Sequence, residues 1–279
     1  MLIQAIMANL LWGMMPLYYY FLGDVSPVLL LSFQIAGTFG TLALYSYIRG
    51  EILFPSNTLQ YLPTAFLISC NWIFYMIAVL GGRVLEASYA YMIMPIITVM
   101  VGAVILKEEL NLMHKIGVLI CSFSVVTDAV SVKAFPLLSF FIALPFSLYV
   151  ILHKKRGTTD VVGSLRSETA LMTPFVIALG VFLLPSSTLG EVSYKDWFLL
   201  LAMGLVNATP LLLFVKASRN LRAVELGVCQ FIAPITAAIL ALALFNSHIN
   251  PSRIASFVGM VTGMGFVVFA RSTTYAEQK

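Results

Sequence analysis

Glu168 is the first residue in this chain that could do chemistry. It sits in "SLRSETALMTP" (164–174), inside an otherwise apolar run. A carboxylate within a membrane-spanning segment is expensive and usually faces a partner, a cavity or a proton path. Two roles follow for Glu168: proton coupling, or a counter-charge for a cationic substrate. A bland role stands beside them, because Glu168 is only about two helical turns into its segment and Arg166 or a nearby Lys could pair with it at the membrane surface. The other polar candidates are neutral. Asn71 opens "NWIFY" in mid-segment, and Gln34, Asn207 and Gln230 lie inside three further apolar runs. Such amides either hydrogen-bond a substrate or bond helix to helix, and both readings stay open. Aromatic residues gather on the same runs: Trp12, Tyr18, Tyr19, Tyr20, Trp72, Tyr75, Tyr89, Tyr91 and Tyr149. Those near segment ends suit an interfacial belt. Trp12, Tyr75 and Tyr91 lie deeper, where they could line a cavity.

Other chemistries find no support. Cys70, Cys121 and Cys229 fall singly in apolar runs and read as buried free thiols. His114, His153 and His248 are far apart and are all expected at loops, so they make no metal motif. "GMVTGMG" (259–265) lacks the Lys-Ser/Thr of a phosphate loop. Its Gly259 and Gly263 read as a close helix contact, with dimerisation one option within that. Asp128 reads as a cap near a helix end. No nucleophile elbow or H-E-x-x-H is present. The expectation is a protein that is not an enzyme and has no cofactor and no metal.

The elements that must position these residues follow from composition. Of 279 residues, 60% are hydrophobic and 10% charged, against about 25% charged in soluble domains. The net charge of +4 is small and dispersed, which argues against nucleic-acid binding. A spanning helix needs about 20 mostly apolar residues. Ten segments qualify: roughly 3–22, 28–48, 61–80, 85–106, 114–131, 135–152, 163–184, 196–216, 223–245 and 253–270. The first lacks a basic leader and a small-residue cleavage site, so it is expected to be retained as a helix. Loops on the N-terminal side hold eleven Lys/Arg: Arg49, Lys107, Lys115, Lys154, Lys155, Arg156, Lys216, Arg219, Arg222, Arg271 and Lys279. The opposite loops hold four: Arg83, Lys133, Lys195 and Arg253. By the positive-inside rule both termini are cytoplasmic.

The chain also repeats itself. Arg83, Glu86 and Pro95 match Arg222, Glu225 and Pro234 at a constant offset of 139, and "LN" (110–111) matches "IN" (249–250) in the same register. Two five-helix units are expected, residues 1–133 and 134–271, with 272–279 as a tail. Five is odd, so the second unit enters the membrane inverted. Inverted repeats are typical of secondary transporters, whose substrate binds near the midplane. Glu86 suits a positive helix N-terminus, and Pro95 and Pro234 suit helix breaks beside a cavity.

"NWIFYMIAVLGGRVLEASYAYMIMPIITVMVGAVILKEEL" (71–110), "WGMMPLYYY" (12–20), "HKKRGTTDVVGSLRSET" (153–169) and "TPLLLFVKASRNLRAVELGVCQFIAP" (209–234) resemble RarD proteins. These belong to the drug/metabolite transporter superfamily with EamA-type repeats. The resemblance runs through almost the whole chain. It implies a ten-helix inner-membrane transporter with a cavity built by the third, fourth, eighth and ninth helices together with the first and sixth. Charges common in that group are missing at Tyr20, at Phe33-Gln34 and at Asn246-Ser247 within "FNSHIN".

The expectation is therefore an all-α secondary transporter working by alternating access. It would move a small polar or amphipathic metabolite, or a drug-like solute, across the cytoplasmic membrane, with a proton or counter-substrate as the coupled species and a monomer or homodimer as its state. Substrate contacts are expected at Trp12, Asn71, Tyr75, Tyr91, Tyr149, Asn207 and Gln230, with charge roles for Glu168 and Glu86. The alternatives are a channel-like facilitator or a membrane factor without transport.

Overall fold

The structure, a computed structural model, describes residues 1–22, 25–54, 57–81, 84–131, 137–157, 160–184, 186–244 and 251–277. All regular elements among the described residues are helical. In chain order they are α1 (Leu2–Gly13), α2 (Met15–Leu22), α3 (Pro27–Ile48), a 3-10 turn (Thr58–Tyr61), α4 (Leu62–Leu80), α5 (Val84–Ile105), α6 (Leu112–Ser131), α7 (Leu137–Arg156), α8 (Val161–Leu183), α9 (Ser186–Glu191), α10 (Tyr194–Ser218), α11 (Ala223–Gln230), α12 (Ile232–Leu244) and α13 (Pro251–Glu277).

Among the described residues, seven stretches are long and apolar enough to cross a membrane: Pro27–Ile48, Thr58–Ala78, Leu112–Val130, Leu137–Arg156, Val161–Leu183, Tyr194–Ser218 and Ala223–Leu240. Ala90–Ile105 and Ile254–Val267 are shorter apolar helices. The outer faces are as apolar as the core, with Phe175 80%, Phe182 84% and Val104 78% exposed. A surface of this kind suits hydrocarbon and not water. The protein is an all-α membrane protein.

Two expected single helices are broken. Residues 3–22 divide into α1 and α2 at Met14, and 223–245 divide into α11 and α12 at Phe231. Each break lies beside a proline. Pro16 has no N–H to give Trp12, and Pro234 has none to give Gln230, so each helix loses a bond where the chain bends. Pro95 sits inside a continuous α5. The expected symmetric pair of breaks is therefore unequal: the second-half proline goes with a break, and its partner is carried through.

The helices pack in a connected set. α7 lies against α4 and α5, α3 lies between α8 and α10, α1 touches α10 and α12, α5 crosses α11, and α6 runs along α13. Small residues set the tightest crossings, as expected where apolar lipid supplies no drive to associate. At the α3–α10 crossing, a Cβ on Gly204 would stand 2.2 Å from the carbonyl carbon and oxygen of Gly37. At the α6–α13 crossing, a Cβ on Gly263 would stand 2.7 Å from the Gly117 carbonyl oxygen and 2.5 Å from Cys121 Sγ. The "GMVTGMG" stripe is thus used within the chain, against α6.

Helix starts use side-chain caps. Asp160 Oδ1 accepts from Gly163 N at 2.7 Å, and Ser193 Oγ accepts from Asp196 N at 3.1 Å. Glu225 Oε2 reaches back to Arg222 N at 2.9 Å and caps α11. Glu225→Ala is expected to lower stability by about 1 kcal/mol, the usual worth of a helix cap. Thermal unfolding in detergent measures it.

Candidate functional site

Glu168 is 1% exposed, and three side chains converge on its carboxylate. Thr64 Oγ1, from the first turn of α4, donates to Oε1 at 2.5 Å. Tyr149 Oη, from α7, donates to Oε2 at 3.1 Å. His153 Nε2, one turn further along α7, lies 2.8 Å from Oε1. The residues four apart on α7 share one face, and the two rings stand 4.6 Å apart. Thr64 and Tyr149 are each 0% exposed and His153 is 1% exposed. His153 Nδ1 has no hydrogen-bond partner among the described residues. The result is a closed cluster of one carboxylate, one imidazole, one phenol and one hydroxyl on three helices. Two hydroxyls and one imidazole thus face a single carboxylate.

Arg166 does not pair with Glu168. It turns the other way, bonding Ser46 Oγ, the Ile52 carbonyl at 2.8 Å and Glu51 Oε2 at 3.3 Å. Two residues apart on a helix do not face each other, so the expected local pairing of Glu168 with Arg166 is not formed. Histidine position is a second correction. His153 and His114 lie inside α7 and α6 and are buried, not in loops. His248 lies outside the described residues.

Deeper in the bundle is a second polar group. Thr98 Oγ1 on α5 lies 2.9 Å from Gln230 Oε1 on α11 and 3.0 Å from Ser147 Oγ on α7. Thr98 also reaches the Met94 carbonyl at 2.9 Å, and Ser147 reaches the same carbonyl at 3.2 Å. Gln230 is 4% exposed, yet its Nε2 has no partner among the described residues. Pro234 withholds the helical N–H from the Gln230 carbonyl. A buried donor and a freed carbonyl therefore sit together at the α11–α12 break. An aromatic group links α1, α7 and α10: Trp12 lies 5.9 Å from Phe146 and 5.3 Å from Phe214, and Phe146 lies 6.0 Å from Tyr149.

A third network ties the ends of three elements. Lys107, at φ 53°, turns the chain after α5 through the left-handed region, an uncommon choice for a residue with a side chain. Glu108 then reaches the start of α11. Its Oε2 accepts from Ala223 N at 2.7 Å, and its Oε1 lies 3.5 Å from Lys154 Nζ. Arg222 Nε is 4.0 Å from the same carboxylate. A carboxylate at a helix N-terminus is favourable. Arg156 donates to the Gln60 carbonyl at 2.9 Å and stacks over Tyr61 at 4.8 Å. At this basic end, side chains tie the segment after α5 to the end of α7 and the start of α11, and the end of α7 to the 3-10 turn.

The expected substrate residues fall into groups. Gln230 lies in the Thr98–Ser147 group, Tyr149 in the Glu168 cluster, and Trp12 packs on Phe146 and Phe214. Tyr75 and Tyr91 form their own pair, rings 6.0 Å apart, and Tyr91 is 41% exposed. Asn71 Nδ2 donates to the Ile142 carbonyl at 2.7 Å, and Asn207 bridges Gln34 at 3.1 Å and Thr38 at 3.0 Å. In this conformation both asparagines bond helix to helix. Asp128, expected as a cap, is fully buried within α6. The side chains of Glu86 and Tyr89, and all of Arg83, lie outside the described residues. His153, Thr64, Thr98 and Ser147 were not singled out by sequence. The i, i+4 spacing of Tyr149 and His153 is the available signal.

Residues 1–127 and again 132–269 match the EamA-like transporter family. The chain belongs to that family. Among EamA relatives, protein RarD of Escherichia coli is 25% identical over 99% of this chain and 95% of its own length. An uncharacterized transporter of Pseudomonas aeruginosa is 30% identical over 90% of this chain and 87% of its own. The uncharacterized transporter YojE of Bacillus subtilis is 29% identical over 89% and 86%. The RarD likeness read from the motifs thus holds over nearly the full length. A solved crystal structure shares the fold, with a TM-score of 0.77 at 18% identity, covering 96% of this chain and 97% of its own.

Proposed function

We propose that this EamA protein is a secondary transporter with ten spans arranged as two inverted five-helix repeats, residues 1–133 and 134–271. It moves a small polar or amphipathic solute across the cytoplasmic membrane by alternating access, with both termini in the cytoplasm. The observation that carries the reading is the double family match together with paired packing: α3 with α8, α6 with α13 and α5 with α11 are each a helix against its counterpart in the other half. Such symmetry suits a machine whose halves rock about a central site.

The solute site centres on Gln230 and the α11–α12 break, with Trp12, Tyr75, Tyr91 and Tyr149 as aromatic wall. Asn71 and Asn207 reach it once their helices part. Pro95 and Pro234 supply the weakened turns, Glu86 mirrors the capping role of Glu225, and Glu168 couples transport to charge. The side-chain ties at the basic end are read as a gate that is shut toward the cytoplasm. Comparing metabolites inside and outside cells with and without the protein identifies the solute; identical profiles across growth conditions would count against transport.

Gln230 offers a prediction with two opposite signs. Its side chain makes one bond, from Thr98, whose hydroxyl also reaches the Met94 carbonyl, and carries one buried donor without a partner among the described residues, so the loss of the bond is offset by the loss of the unpaired donor. Gln230→Leu is therefore expected to leave the melting temperature unchanged or higher, while weakening solute binding about tenfold, roughly 1.4 kcal/mol. Binding calorimetry beside thermal unfolding reads both. Equal losses in both would make Gln230 merely structural.

A further inference from the structure

We propose that the coupled species is a proton, that His153 and Glu168 hold it jointly, and that its presence keeps the basic end of the bundle closed. This rests on the transport reading but deepens it, by naming the ion, the atoms that carry it and the step it controls.

The argument is one of charge and burial. Glu168 and His153 are each 1% exposed and 2.8 Å apart. With one proton shared beyond the neutral imidazole, the pair is an imidazolium facing a carboxylate, or an imidazole facing a carboxylic acid. Either is neutral overall. Without that proton the pair carries one buried negative charge, which is costly unless a cation faces it. Among the described residues, the cations nearby are committed elsewhere or exposed. Arg166 is committed to Glu51, Ser46 and the Ile52 carbonyl. Lys154 is held by Glu108 and the Leu221 carbonyl. Arg156 is held by Gln60 and Tyr61, and Lys216 on α10 is exposed. Tyr149 and Thr64 contribute dipoles but no charge.

His153 Nδ1 is the atom that takes the proton. It is the one ring nitrogen with no contact to Glu168, and it has no partner in the closed cluster. Proton loss is relieved by letting water reach Glu168. The first turn of α4 must then part from α8, because Thr64 closes that side. Closing takes up a proton and opening releases it. The same proton is therefore bound or released as the solute site changes sides, which is what coupling requires.

Hydrogen exchange read by mass spectrometry on the full-length protein in lipid nanodiscs tests this without any transported solute, so its failure is separate from failure of the transport reading. Rates are compared at about pH 5.5 and about pH 8, the range in which an imidazole changes charge, after correction for intrinsic exchange. In the wild type, peptides covering 61–68, 147–156 and 161–170 are expected to lose about tenfold in protection at the higher pH, while α6 and α13 do not change. Glu168→Gln removes the charge and should stay protected at both values. His153→Gln removes the proton-accepting ring and should abolish the pH response as well, so either variant serves if the other fails to fold. Equal wild-type protection at both values, or a response that persists in a folded variant, overturns the proposal.

Discussion

Glu168→Gln is expected to lose gradient-driven accumulation of the solute while keeping solute exchange. The substitution preserves side-chain shape and an acceptor for Thr64 or Tyr149, but it cannot exist as an anion. It therefore removes the one charge whose appearance would force α4 and α8 apart. A coupling free energy of about 1–3 kcal/mol corresponds to roughly 5- to 150-fold, and the loss of accumulation should fall in that span. Expression and monodispersity should survive, because one amide hydrogen must face a donor but no charge is buried unpaired. Uptake driven by a pH gradient, compared with wild type at equal protein, is the measurement. Full accumulation in the variant would remove Glu168 from coupling. A variant lost from the membrane would instead make the cluster a structural one.

Gly204→Val is expected to be the most damaging single change to the fold. The valine Cβ would lie 2.2 Å from the Gly37 carbonyl group, a backbone contact that no side-chain rotation relieves. α3 and α10 must separate by more than an ångström. That separation strains a well-packed crossing by about 1–3 kcal/mol. It also pulls on the bonds that join Gln34, Asn207 and Thr38 across the same interface, worth about 0.6 kcal/mol each in membrane proteins. The summed loss of several kcal/mol is a large part of typical stability. Gly40→Ala, on the partner helix α3, is the control: a Cβ there meets nothing within 4 Å. Size-exclusion profiles and thermal unfolding should show Gly204→Val aggregated or strongly destabilised and Gly40→Ala unchanged. Normal melting of Gly204→Val would mean the crossing is looser than the structure has it.

Much of the frame could be read from sequence because membranes impose so few options. Long apolar runs become helices, since no other backbone state satisfies its own hydrogen bonds in lipid. Proline positions were legible, but their consequences were not: Pro234 goes with a break and Pro95 does not. Glu168 was legible because a carboxylate in an apolar run has to be explained. Its partners were not, because His153 stands at the head of "HKKR", and a basic run at a helix end reads as surface. Only the packing of α7 against α4 and α5 turns that residue inward. Thr98 and Ser147 were hidden for a different reason: hydroxyls are common in apolar helices, where they bond their own backbone. Asn207 and Gln34 show the reverse, two residues singled out separately that turn out to bond each other.

Reconstitution is the most direct test of the central claim. Proteoliposomes are loaded with the solute identified in cells, and entry of labelled solute is followed with and without an inward proton gradient. The account predicts saturable counterflow in both wild type and Glu168→Gln, with gradient-driven accumulation or extrusion in the wild type alone. Flux that rises linearly with concentration and shows no counterflow would contradict alternating access, and an equal gradient response in the two proteins would contradict the role of Glu168.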